Sequence, residues 1–140
     1  MERKNRLVKI ISNELINYSG KSIKIIYDNF LEMPALALLD TNTKEPLIII
    51  NINILPDCKD TIAHILSHEY GHHILKHVDI NPNLRSKKDL LICEDQADIY
   101  AAIFISKFNY NKDKIKEYIK LRGDNTSYDR IKLIDTIISN

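Results

Sequence analysis

The segment "SHEYGHH", residues 67 to 73, constrains this chain more than any other. It crowds three imidazoles and one carboxylate into seven consecutive positions, on a stretch whose apolar spacing is helical. With about 100° of rotation per residue, Ile62, Ile65 and Leu66 define a buried stripe, and one or two further turns carry that stripe onto Glu69, His72 and His73. The core side of the helix therefore turns polar. Burying a carboxylate among imidazoles costs several kcal/mol unless a charge or a hydrogen-bond partner meets them, so the break in the apolar pattern needs a cause.

A metal ion is the simplest cause. His68 and His72 lie four positions apart, which stacks two imidazoles one turn apart on one helix face, within reach of a single Zn²⁺. Glu69 then stands beside the metal without ligating it, the position of a general base acting on water, and H-E-x-x-H is the sequence form of that arrangement. A third protein ligand has to come from further along. Candidates are His77, Asp79 and the acidic cluster "CEDQAD" at 93 to 98. The long pattern H-E-x-x-H-x-x-G-x-x-H is rejected, because His77 falls one residue short of its last histidine and Leu75 replaces its glycine.

Glu94 fits the requirement by helix geometry. Leu90, Ala97, Ala101 and Ile105 form an apolar stripe with Glu94 in its middle and Asp98 at its edge. The small Ala97 and Ala101 let this helix approach the histidine-bearing one, whereas Asp95 reads as a solvated charge. Asp98, one turn beyond Glu94, is expected within hydrogen-bond reach of His68 or His72, because metal-bound histidines donate their other ring N–H to a carboxylate or carbonyl.

The rest of the chain supplies a frame for these residues. At 140 residues it is the size of one domain, taken here as residues 1 to 140. Leu7, Ile10, Ile11 and Leu15 give an amphipathic first helix, followed by three strand-like runs, "IKIIY" (23 to 27), "ALALL" (35 to 39) and "PLIIINI" (46 to 52). The polar "DTNTKE" suits an antiparallel hairpin between the last two. Helical spacing follows at 58 to 77, 87 to 108, 111 to 122 and 127 to 139, so the expected fold is α+β with a small antiparallel or mixed three-stranded sheet. A formal net charge of +1 with no basic run argues against direct nucleic-acid binding. No apolar run approaches the roughly 20 residues of a membrane span, and "MERKNRLVKII" lacks the features of a signal peptide, so a cytosolic location is expected. Cys58 and Cys93 form no CxxC pair and are expected as buried free thiols.

"HEYGHHILKH" at 68 to 77 followed by "EDQADIYAAIFI" at 94 to 105 resembles the ImmA/IrrE family of small zinc metallopeptidases, and "LIIININ" is similar to that family's I-x-I-N strand. The resemblance spans about residues 23 to 105 and implies a zincin-like helical core under the sheet. It also implies one zinc per chain on His68, His72 and Glu94, with Glu69 catalytic. After Phe104 the family's Leu-Leu-Met-Pro is replaced by "ISKFNY", a departure that bears on substrate choice rather than on the metal centre. The implied substrate is a helix-turn-helix transcriptional repressor, cleaved at a specific site. An extended peptide would pair with an exposed strand, for which "LIIIN" is the expected edge. Candidates to stabilise the oxyanion are His73, His77, Tyr70 and Tyr100, with no choice among them. Two expectations compete with this one: a regulator with a structural or vestigial zinc that inactivates a repressor by binding alone, and a metal hydrolase acting on something other than peptide.

Overall fold

A computed structural model describes residues 2–79, 84–123 and 127–138. The fold is α+β, with helices α1 (Glu2–Ser19), α2 (Lys59–Ile74), α3 (Lys87–Lys107), α4 (Lys112–Arg122) and α5 (Ser127–Ile137), and strands β1 (Lys24–Tyr27), β2 (Ala35–Leu39) and β3 (Pro46–Ile50). Parts of the "DINPNLRS" and "RGDNTS" breaks lie outside the described residues. Among the described residues no helix is long and apolar enough to cross a membrane.

The sheet is mixed, in the order β1-β3-β2, with β1 parallel and β2 antiparallel to the central β3. This order corrects the expected docking edge. "LIIIN" occupies β3, whose backbone groups are consumed on both sides, so the free edge on the hairpin side belongs to β2. The hairpin forms because the Asp40 side chain accepts from the Asn42 and Thr43 N–H groups at 2.8 and 3.0 Å, and Lys44 takes φ 63° to close the turn. Asn51 ends β3 by donating its amide to the carbonyls of Asn29 and Leu31, which ties down the connection from β1 to β2.

Helix α2 is the centre of the molecule. It packs against α1, α3, α4 and the sheet, and its residues from Thr61 to His68 are all buried, so the single stripe read from the sequence is one side of an almost fully enclosed helix. Helix α3 lies close against it: a Cβ added to Gly71 would come within 3.0 Å of Tyr100 Cβ, and Ala97 and Ala101 are completely buried. The apolar stripe of α3 is shorter than expected, because Leu90, Leu91 and Ile92 are exposed and burial begins at Cys93. On α1 the buried face is Val8, Ile11 and Leu15, with Ile10 turned outward. Both cysteines are free; Cys93 is buried, Cys58 only partly.

Helix α2 also stops earlier than its spacing suggests, at Ile74 instead of residue 77. Lys76 adopts a left-handed φ of 59°, and the His77 N–H bonds back to the His72 carbonyl at 2.8 Å while the Lys76 N–H bonds to His73 O at 3.1 Å. This pair of backward bonds is the Schellman motif. It folds His77 back beside the last turn of α2.

Candidate metal centre

Three ligand-capable side chains converge where α2 crosses α3. His68 Nε2 lies 3.2 Å from His72 Nε2 and 2.7 Å from Glu94 Oε2, and His72 Nε2 lies 3.4 Å from the same oxygen. Two nitrogens and one oxygen bound tetrahedrally at about 2.1 Å would stand roughly 3.4 Å apart, so two of the three separations already match. The third, between His68 and Glu94, is contracted to hydrogen-bond length. The His–His–Glu group is thus placed to hold a metal ion. His68 is buried, His72 nearly so, and Glu94 stands more open at the mouth.

The outer nitrogens explain why these inner atoms point at one another. His68 Nδ1 is 2.8 Å from Asp98 Oδ1, an acceptor, so the Nδ1 proton is donated there. His72 Nδ1 is 3.0 Å from His77 Nδ1, and His77 Nε2 is 2.7 Å from the Gln96 side-chain oxygen. The chain of donors consistent with that oxygen runs from His72 to His77 to Gln96. Both Nε2 atoms of the neutral pair then present lone pairs toward a carboxylate oxygen. Three lone pairs aimed at one point require a cation between them. In the metal-free protein a proton can serve: burial favours neutral His68, but its hydrogen bonds to Asp98 and Glu94 prevail and raise its pKa to about 10. Burial works against ionised Glu94 as well, yet the His68 and His72 contacts hold its pKa well below the ordinary carboxylate range.

Glu69 is held apart from this group. Its Oε1 accepts the Ala37 N–H of β2 at 2.9 Å, and its Oε2 stands 4.0 Å from His68 Nε2. Burial raises the Glu69 pKa, with the nearby His68 and His72 opposing. With neutral imidazoles, the acidic side chains of Glu69, Glu94 and Asp98 gather around His68 while the Arg130 guanidinium pairs with Asp98, which leaves negative charge at the ligand group that a divalent cation would offset. The donor set of two imidazoles and one carboxylate is one that zinc accepts.

The structure separates the four oxyanion candidates. Tyr70 points the other way, its hydroxyl donating to Lys21 O and accepting from Ile23 N–H at the α1–β1 junction. Tyr100 packs its ring edge-on against Tyr18, on the α1 side of α3. His73 donates to the Leu47 carbonyl at 2.7 Å, locked to the sheet. Only His77 of the four lines the cavity at the cluster, and both its nitrogens are engaged. Asp79 is paired with Arg85 at 2.6 Å and Asp95 is exposed, so neither joins the cluster.

The cavity over the cluster has a volume of about 710 Å³. Met33, Leu36 and Leu38 border it on the strand side, Leu90 and Leu91 on the α3 side. Three participants escaped sequence reasoning. The Ala37 N–H is a backbone group and leaves no trace in side-chain patterns. His64 continues the four-residue spacing of His68 and His72, a signal that was present; it is buried against the His68 ring, with centroids 6.3 Å apart, outside the ligand group, and burial lowers its pKa to about 3. Arg130 comes from α5 and binds Asp98 with two hydrogen bonds. Comparison with protein-family models, curated proteins and solved structures finds no match for the chain.

Proposed function

We propose that the chain is a zinc-dependent peptidase in which His68, His72 and Glu94 hold the metal and Glu69 is the general base. The observation that carries this reading is the position of Glu69. It is buried beside the ligand group, its pKa raised, with one oxygen anchored on the edge strand and the other turned toward the cluster. A purely structural site, closed by protein ligands, has no use for such a carboxylate. Zinc bound there would act as a Lewis acid on the scissile carbonyl and lower the pKa of water.

The chain's own groups define the rest. Pro34 O and Asp40 N–H bond toward β3, so strand alternation turns the backbone groups of Ala35, Ala37 and Leu39 outward, in accord with the Ala37–Glu69 bond. A peptide running beside β2 would pair with the outward groups of Ala35 and Leu39 and pass Glu69, which already accepts the Ala37 N–H. Glu69 takes a proton from the attacking water and returns it to the leaving amine. The aliphatic side chains on both lips favour a substrate with bulky apolar residues on either side of the cut. The resemblance to the ImmA/IrrE family supports a helix-turn-helix repressor in the cytosol as that substrate.

The test is incubation of the zinc-loaded protein with purified helix-turn-helix repressors. Discrete fragments that vanish with a chelator and in Glu69→Gln are expected. Full repressor inactivation by Glu69→Gln, without fragments, would favour the binding-only regulator.

A further inference from the structure

We propose that Arg130 is a positioning residue of the metal centre: its guanidinium fixes the Asp98 carboxylate, which in turn orients His68. Arg130 Nε donates to Asp98 Oδ2 at 2.9 Å and Nη2 donates to Oδ1 at 3.0 Å, the two-pronged geometry that only a guanidinium supplies. Asp98 Oδ1 also receives the His68 Nδ1 proton at 2.8 Å. One oxygen therefore joins the arginine of α5 to the histidine of α2 through an aspartate of α3. Rotating the carboxylate to release His68 would break both arginine bonds. Asp98 is 2% exposed, so no water shell can take over the task. The same Nη2 also stands 3.5 Å from Nε2 of buried His64, a second partner for the guanidinium beside Asp98.

The consequence is that α5 belongs to the site. Ile134 within it and Ile138 just past its end seat it in the core, and that seating delivers Arg130 to a carboxylate 32 positions earlier in the chain. Partners that orient a metal-bound histidine typically govern metal affinity by ~10 to 100-fold.

The inference rests on the metal reading, and metal affinity separates the two. Zinc dissociation constants are measured by chelator competition for wild type, Arg130→Met, Arg130→Lys and Asp135→Asn, with folding followed by circular dichroism. Wild type is expected to bind zinc, and failure there contradicts the metal reading itself. Arg130→Met should bind ~10 to 100-fold more weakly. Arg130→Lys, which keeps the charge but not the fork, should fall between the two and serves alone if Arg130→Met does not fold. Asp135→Asn removes the exposed α4–α5 ion pair between Lys116 and Asp135 without touching Asp98 or the core seating of α5, and should keep affinity within about threefold of wild type. Wild-type affinity in the folded Arg130 variants, or an equal loss in Asp135→Asn, would overturn the positioning role while leaving the metal site intact.

Discussion

His72 and His77 meet through their Nδ1 atoms at 3.0 Å, although His77 lies beyond the end of α2. The left-handed Lys76 makes this possible by reversing the chain immediately after the helix. The contact gives His72 what Asp98 gives His68, an acceptor that holds the ring proton on Nδ1 and frees Nε2 to face the cluster.

His77→Phe fills a similar space and removes that acceptor. It should weaken zinc binding by ~10-fold or more with little change in folding, as read by chelator competition. Unchanged affinity would mean that His72 needs no acceptor.

Glu69→Gln should stabilise the metal-free protein at neutral pH by on the order of 1 kcal/mol, since active-site groups are commonly held at a cost to stability. The pKa of Glu69 is raised in the fold by burial, so the carboxyl favours folding while protonated and that contribution disappears as pH rises through the folded pKa. The advantage of the amide should therefore grow with pH across that range. Thermal melts of both proteins over a pH series check it, and a Glu69→Gln variant less stable at pH 7 contradicts it.

Gly71→Ala should destabilise the protein by about 1 to 3 kcal/mol. The new methyl would meet Tyr100 Cβ at 3.0 Å, at the crossing that brings Glu94 to the histidines. Zinc affinity should fall with it, since prising α3 from α2 widens the ligand group. Denaturant unfolding with and without zinc measures both effects.

The sequence carried the α+β layout, the hairpin and the residues that converge at the centre, because each depends on local periodicity. Glu94 and Asp98 were legible for a related reason: an acid inside an apolar helical stripe is anomalous wherever its partner lies. What was not legible depends on pairing and direction. Nothing in the composition of "LIIIN" tells a central strand from an edge, as both are aliphatic, and the parallel pairing of β1 with β3 decides it. The exposure of Leu90 to Ile92 follows from α3 overhanging the cavity rather than from its spacing. Lys76 has no side-chain mark of a left-handed residue, so the end of α2 and the placement of His77 were hidden. Arg130 sits on an ordinary amphipathic helix, and only the tertiary fold reveals its partner.

The central claim is that His68, His72 and Glu94 form a metal site with a coordination position left for water. The most direct measurement is zinc stoichiometry by native mass spectrometry joined to X-ray absorption of the zinc-loaded protein. The account predicts one zinc per chain, held by two imidazoles and one carboxylate with a light-atom solvent ligand, retained in Glu69→Gln and lost in His72→Ala. A chain without zinc under replete conditions, or a zinc closed by four protein ligands, would contradict it.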